Sequence, residues 1–276
     1  MITGPHRCAV LGSPIEHSLS PELHRAGYAA LGLDDWTYDR YEVGEDGLAS
    51  FVAACSDRTW RGLSLTMPLK LVALQVGRPD DLARLVGAAN TLVFDHEAGA
   101  HQVTNTDVGG MVNAVRATGC AMLDSATILG GGGTARAALV SLARLGARTV
   151  TLVLRTVERA EPLRPLAGAL GVDLVVQHWS DSLPTVDLLV STAVAGAADA
   201  LAERAAASAS VVFDVIYDPW PTALASAAQA RGRLVLSGLD LLVHQAVLQF
   251  ELFTGRRLDP QVMTAALPAR SSSDPL

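Results

Sequence analysis

Short apolar or β-branched runs alternate with amphipathic stretches along almost the whole chain. Runs at residues 8–11, 38–43, 63–66 and 90–94 read as strands, and the stretches 21–31, 47–54 and 80–87 carry helical spacing. That alternation predicts βαβ units around a mostly parallel sheet. A second series follows, with strands at 126–129, 150–154, 174–176, 188–190, 211–215 and 234–236 and helices at 134–145, 158–170 and 222–230 between them. From 239 to 254 the apolar positions Leu241, Leu242, Val247, Leu248 and Leu252 predict one long helix, closed by Gly255 as its C-cap. No strand follows that helix, so it is expected to pack back on the first domain. The fold class read from the pattern is α/β with two doubly wound domains. One is an open-sheet domain formed by residues 1–106 and 239–276, and the other is a doubly wound domain of the Rossmann type over 107–238. The tail 269–276, with Ser271-Ser272-Ser273-Asp274-Pro275, carries too little apolar surface to offset ordering and is expected to be disordered.

Composition narrows the function classes. At 276 residues the chain can bury two modest cores. Half of it is hydrophobic, yet polar residues interrupt every apolar run before the roughly 18 to 20 residues a bilayer span needs. The N-terminus enters the strand-like run at 8–11 without a basic segment and cleavage site, so a cytoplasmic protein is expected. The formal charge is −7 with basic residues scattered, which disfavours a nucleic-acid footprint. Cys8, Cys55 and Cys120 lie far apart, in neither a disulfide nor a zinc spacing, and read as reduced thiols. Oligomeric state is left open between monomer and homodimer.

The chemistry begins after the strand at 126–129, which runs into Gly130, Gly131, Gly132, Gly133, Thr134 and Ala135 and then into an alanine-rich helix. Gly130, Gly132 and Ala135 fit G-x-G-x-x-A: a tight turn, close approach of backbone to a pyrophosphate, and close helix-strand packing. The helix N-terminus then faces the anion. The next strand ends in Arg155 and Thr156, with Arg159 close by and no carboxylate before Glu158. A cationic strand end favours the 2′-phosphate of NADP over the bare ribose of NAD. The competing role for Arg159 is a solvated helix position paired with neighbouring glutamates.

Elsewhere five local patterns occur in order: Gly12-Ser13-Pro14 with His17-Ser18-Leu19-Ser20-Pro21, Thr66-Met67-Pro68-Leu69-Lys70, Gly87-Ala88-Ala89-Asn90-Thr91, Asn105-Thr106-Asp107, and Gly238 through Gln245. With the glycine turn after the fourth, the chain resembles the shikimate dehydrogenase family over about residues 8–267. The loop Tyr217-Asp218-Pro219-Trp220-Pro221-Thr222 is similar too. The resemblance implies reversible NADPH-dependent reduction of 3-dehydroshikimate to shikimate in aromatic amino acid (chorismate) biosynthesis. It implies Lys70 and Asp107 as catalytic residues, Ser18 and Ser20 as a carboxylate-binding pair, Thr66, Asn90 and Gln245 as ligands of ring hydroxyls, Tyr217 near the carboxylate, and Gly238 beside the cofactor. The residue chemistry agrees: reducing a ring ketone needs a hydride donor and a proton donor at the developing alkoxide, and a lysine ammonium supplies charge and proton together.

Each of these residues also has an ordinary job open to it. Lys70 could be a solvated surface lysine, and Asp107 could be the N-cap of a helix beginning near Val108. Ser18 and Ser20, two apart on an expected extended backbone, would point the same way, or could cap and turn ahead of Pro21. Asn90 could begin a strand, and Gln245 could face solvent. His17 and His244 receive no catalytic role, and His96 and His101 no metal. Four positions depart from the family pattern: Ser64, Leu154, Ser191-Thr192-Ala193 and Ser237 stand where asparagine or aspartate is usual. The first is expected to weaken one substrate hydrogen bond, and the next two to alter cofactor geometry. Two rival readings stand: a quinate or aminoshikimate dehydrogenase of the same superfamily, and a non-catalytic NADP-binding sensor. Closure of the two domains is expected to hinge near Asp107 and Gly238.

Overall fold

The computed structural model describes residues 5–120 and 122–268, so the tail expected to be disordered lies outside the described residues. The chain divides into two compact units. The first holds the described residues up to Asp80, Ala89–Thr104 and those from Ala246 onward; the second holds Asp81–Ala88 and Asn105–Gln245.

The first unit is built on a six-stranded sheet ordered β2-β1-β3-β5-β6-β4. Its strands are β1 (His6–Gly12), β2 (Trp36–Glu42), β3 (Trp60–Leu65), β4 (Arg78–Pro79), β5 (Thr91–Val93) and β6 (Gln102–Thr104). Helices α1 (Ser20–Ala30) and α2 (Leu48–Ala54) make the crossovers that keep β1, β2 and β3 parallel. Beyond β3 the sheet is mixed, because β5 runs antiparallel to β3 and to β6 while β4 pairs with β6 in parallel. Only residues 94–101 separate β5 from β6, which suffices for a hairpin, whereas a parallel crossover needs a dozen or more. The short strands β4 and β6 offered too few residues for alternation to be read. On α1, Leu23, His24, Gly27 and Tyr28 form the buried stripe, and a side chain at Gly27 would come within 2.7 Å of the Phe250 ring.

In the second unit α3 (Asp81–Val86) and α4 (Thr106–Ala117) precede a sheet of β7 (Ser125–Leu129), β8 (Thr149–Leu154), β9 (Asp173–His178), β10 (Val186–Ser191), β11 (Ala209–Asp214) and β12 (Leu234–Leu236). The order is β12-β11-β10-β7-β8-β9 with every pairing parallel. Strand order therefore reverses between β7 and β10, the switch point at which such sheets hold dinucleotides. Helices α5 (Gly133–Arg144), α6 (Arg164–Leu170), α7 (Ala202–Ser208) and α8 (Ala223–Ala230) complete it. The continuous helix expected over 158–170 is broken into a 3-10 turn, Val157–Ala160, and the short α6. Pro162 and Pro165 explain the break, since neither can donate a helical hydrogen bond. Segment Asp81–Ala88, read from sequence with the first domain, groups here because Val86 and Ala88 bury in the same core as Val108, Ala135 and Leu139.

The long helix α9 (Gly238–Thr254) ends as expected at Gly255, whose φ is +69° and whose N–H bonds the Glu251 carbonyl at 2.8 Å. It is followed by α10 (Pro260–Ala265). Residues of α9 up to Gln245 belong to the second unit and those from Ala246 to the first. Among the described residues no helix is long and apolar enough to cross a membrane.

Candidate active site

In the first unit the carboxyl ends of β1 and β3 are locked together. Thr66 N–H donates to the Leu11 carbonyl at 2.9 Å, and Ser13 N–H to that of Met67 at 3.0 Å. Gly12 makes this approach possible: a Cβ there would overlap Thr66 Cγ2 and lie 2.8 Å from the Met67 carbonyl. Beyond Thr66 the chain turns, with Leu69 N–H on the Thr66 carbonyl at 2.8 Å, and delivers Lys70. The Lys70 carbonyl accepts from Ala89 N–H at 2.8 Å and Leu65 N–H donates to the Asn90 carbonyl at 2.7 Å. Thr66, Lys70 and Asn90 thus come to one sheet edge. Lys70 is half-buried, not the solvated residue its type suggests.

The serine pair joins the same edge by a route other than the one expected. Leu19, between them, has φ −89° and ψ 1°, so the backbone is not extended. Ser18 Oγ instead accepts from Ser20 N–H at 3.4 Å in a turn, and Ser20, nearly fully buried, opens α1 beside Tyr38. Alternation along a strand therefore does not orient these hydroxyls.

Asn90 is held by a buried relay that sequence reading missed. Tyr38 donates to Ser64 Oγ at 2.6 Å, and Ser64 donates to Gln249 Oε1 at 2.7 Å. Gln249 Nε2 donates to Thr91 Oγ1 at 2.9 Å and to the Asn90 carbonyl at 3.1 Å, and Thr91 donates to Asn90 Oδ1 at 2.8 Å. The direction of every bond follows from the tyrosine donor, and it fixes which end of the Asn90 amide is oxygen. Gln249 could have been suspected from its spacing of four after Gln245, which puts both on one helix face.

In the second unit α4 opens on Asn105, whose Oδ1 accepts from Val108 N–H at 3.4 Å while its Nδ2 donates to the Ala88 carbonyl at 2.9 Å. The cap is therefore Asn105 and not Asp107, because helical geometry begins two residues earlier than expected, at Thr106. Asp107 sits buried in the first turn of that helix. Gln245 is buried as well, packed against Gly110 of α4, with Oε1 3.4 Å from the Thr106 hydroxyl. Tyr217 lies half-buried in the loop after β11; burial pushes its phenol pKa up and Asp218 adds to the rise. Asp214 stiffens that loop, accepting from Thr222 at 2.7 Å, and Thr222 in turn caps α8. Gly238 begins α9 directly against the Val215 carbonyl, where a Cβ would overlap it. Ser237 and Asp240 close a capping box there, Asp240 Oδ2 accepting from Ser237 N–H at 2.7 Å and its hydroxyl at 2.8 Å. The departure at Ser237 thus keeps the cap.

The glycine turn sits at the switch point. Gly130 has φ +104°, and a Cβ on it would stand 2.7 Å from Thr192 Oγ1, so the Ser191-Thr192-Ala193 loop closes directly on the turn. A Cβ at Gly132 or Gly133 would meet nothing within 4 Å, which leaves open backbone at the start of α5. Gly132, the N-cap, brings no side chain to the first-turn N–H groups. Ala135 is fully buried against the core. Leu154, where asparagine is usual, is buried and would lie 3.0 Å from a Cβ on Gly131. Arg155, Thr156 and Arg159 are all exposed beyond the end of β8. Glu161, one of the neighbouring glutamates expected to compete for Arg159, pairs with Arg164 at 3.1 Å.

Two family models match the chain, the shikimate dehydrogenase substrate binding domain over residues 10–92 and the shikimate 5′-dehydrogenase C-terminal domain over 238–267. A shikimate dehydrogenase (NADP(+)) of Rhodopseudomonas palustris strain TIE-1 is 37% identical over 96% of this chain and 95% of its own length. The chain belongs to the shikimate dehydrogenase family. Among solved family members, the Mycobacterium tuberculosis shikimate dehydrogenase superposes with a TM-score of 0.88 at 42% identity, covering 95% of this chain and 98% of that one. The Thermus thermophilus shikimate 5-dehydrogenase, solved in complex with NADP(H) and shikimate, does so with 0.82 at 32% identity over 95% and 98%.

Proposed function

We infer that this chain is an NADP-dependent shikimate dehydrogenase, reversibly reducing 3-dehydroshikimate to shikimate in aromatic amino acid biosynthesis. The observation that carries the reading is the Lys70 turn, knit by backbone bonds to Leu11 and Ser13 at the end of β1 and to Ala89 beside Asn90, in a chain whose relatives of that name align along nearly its full length. The first unit serves as the substrate-binding domain and the second as the dinucleotide-binding domain.

The residues at the switch point fit the cofactor. Gly130 takes the left-handed turn, open backbone at Gly132 and Gly133 admits a pyrophosphate at the N-terminus of α5, and Arg155, Thr156 and Arg159 offer cationic and hydroxyl donors for the 2′-phosphate. NADPH, when bound, supplies the hydride. Lys70 gives a proton to the developing ring alkoxide and, in the opposite direction, takes it back. Asp107, in the first turn of α4, accepts a hydrogen bond from a ring hydroxyl. Ser18, Ser20 and Tyr217 hold the substrate carboxylate, and Thr66, Asn90 and Gln245 hold ring hydroxyls. A polyol acid has little apolar surface, so paired buried polar groups must supply selectivity, and an unpaired one penalises the wrong ligand. Gly238 lines the cofactor side at the start of α9. Three unpaired thiols suit the reducing cytoplasm to which we assign the protein.

Initial velocities with shikimate or quinate, each with NADP or NAD, test the reading. Turnover of shikimate with NADP dominates if it is right. Preference for quinate or NAD moves the chain to the quinate branch, and NADP binding without turnover in any pairing makes it a sensor.

A further inference from the structure

We propose that Trp179 is a positioning residue for cofactor choice, its indole face holding the Arg155 guanidinium in place for the 2′-phosphate of NADP. The proposal rests on the reading that Arg155 meets that phosphate, and it adds the element that presents it.

Arg155 is the first residue beyond β8 and is exposed. A long side chain there samples many rotamers, and ordering it on binding an anion costs entropy. The residues that follow β9 reduce that freedom. The guanidinium carbon of Arg155 lies 6.0 Å from the centroid of the Trp179 ring, at the outer reach of a cation–π contact. A guanidinium resting on a ring keeps its in-plane N–H donors available for an oxyanion.

The indole is itself fixed to the strand that carries Arg155. Trp179 Nε1–H donates to the Val153 carbonyl at 3.2 Å, and its backbone N–H donates to the Leu154 carbonyl at 3.1 Å. His178 adds a third tie, Nε2 lying 3.1 Å from the Arg155 carbonyl. Its Nδ1 accepts from Ser180 N–H at 3.2 Å, so one tautomer, with the proton on Nε2, satisfies both contacts. Asp181 Oδ2 accepts from His178 N–H at 2.8 Å. From α7, Arg204 donates to the Trp179 carbonyl at 2.6 Å and to the Asp181 carbonyl at 2.9 Å. An exposed four-residue turn needs no such set of bonds to end a strand; its effect is to hold one aromatic face beside one arginine.

Binding to the full-length protein, measured by titration calorimetry, tests this with three probes: NADP, NAD and adenosine 2′,5′-bisphosphate. Trp179→Leu is expected to weaken NADP and the bisphosphate about three- to fivefold, as loss of an exposed cation–π contact implies, and to leave NAD unchanged. Trp179→Phe, which keeps a ring but not the indole N–H, should retain most of the discrimination. Trp179→Met keeps apolar volume without an aromatic face, and reads the loss of the ring if W179L does not fold. Arg155→Ala separates this inference from the reading beneath it. If R155A weakens NADP selectively and W179L or W179M does not, the inference is overturned and the phosphate contact stands. If R155A weakens NADP and NAD alike, the phosphate contact falls and the inference with it. Equal weakening of NADP and NAD by W179L and W179M would mark Trp179 as structural and also overturn the proposal. On the R155A background, W179L should add no further loss for NADP.

Discussion

Lys70 illustrates how neighbours fix the place of a residue type that is usually solvated and mobile. Its turn is fixed by backbone bonds to β1 and to residue 89, so the ammonium is delivered at a sheet edge instead of being left on a mobile loop. In the proposed reaction the proton Lys70 gives is needed most as the alkoxide develops, so its interaction strengthens in the transition state. Lys70→Ala should therefore lower kcat about 10²- to 10⁴-fold, the range for general acid–base groups, with a much smaller change in KM. Steady-state kinetics with shikimate and NADP check this, and an undiminished kcat would remove Lys70 from the chemistry. Ser64 shows the opposite case. Its departure from the family pattern read as a weakened substrate bond, yet its hydroxyl accepts from Tyr38 and donates to Gln249 inside the fold. Nothing in the local sequence pairs residues 38, 64 and 249, so that commitment becomes visible only when the sheet and α9 bring them together.

Among the elements, the glycine turn separates two kinds of glycine. Gly130 needs its left-handed φ of +104° and has Thr192 Oγ1 where a Cβ would point, whereas Gly132 has φ −90° and open space. Gly130→Ala should then cost about 1–3 kcal/mol of stability through strain, and Gly132→Ala less than about 1 kcal/mol, its main loss being a poorer N-cap. Thermal unfolding of the two variants without cofactor measures the contrast, and equal losses would sink the argument. The turn was legible in sequence because three constraints, strand, glycine spacing and helix, fall within a dozen residues. The same holds for β7 to β12 and for α9 with its Gly255 cap, where the apolar period is unbroken. What stayed hidden was set elsewhere. The antiparallel β5 and β6 follow from a short loop, and the split of the 158–170 helix from two prolines whose effect the apolar period masked. The cap at Asn105, two residues ahead of the acid expected to do the work, was decided by which of two suitable residues met the first free N–H group. Candidate site residues in contiguous motifs could be proposed from sequence, while Gln249, Trp179 and Arg204 bond to partners distant in sequence.

For the molecule as a whole, the buried aromatic layer of the first unit carries a pH dependence. His24 is fully buried, stacked on Tyr38 with centroids 4.1 Å apart and close to Phe250 and Phe253. Burial lowers its pKa to about 3, a contact with Gln249 offsetting part of the fall. The unfolded chain would bind a proton at this imidazole near pH 6.5, which the folded chain refuses until about pH 3. A depressed folded pKa means the stabilising contribution is complete above 6.5 and is lost as pH falls towards 3, at up to about 1.4 kcal/mol per pH unit. Asp214 in the second unit acts with the other sign. Its pKa is raised chiefly by burial, so its contribution is complete below the ordinary carboxylate value and declines as pH rises through the raised one. Between pH 6.5 and 5, where unfolded aspartates remain ionised, His24 titrates in the unfolded chain. Burial also lowers the pKa of His101 and of His244, which add to the fall in stability, so the part assigned to His24 is the part its removal abolishes. His24→Phe keeps an aromatic ring in the layer and removes the titrating group. Denaturant unfolding of the first unit's aromatic signal at pH 7.5, 6.5, 5.5 and 5.0 should show the wild-type midpoint declining steadily, and the H24F midpoint declining distinctly less. Parallel declines in the two proteins would show that the proton is taken up elsewhere, and the buried imidazole would then lose its place as the acid-sensitive group of this layer.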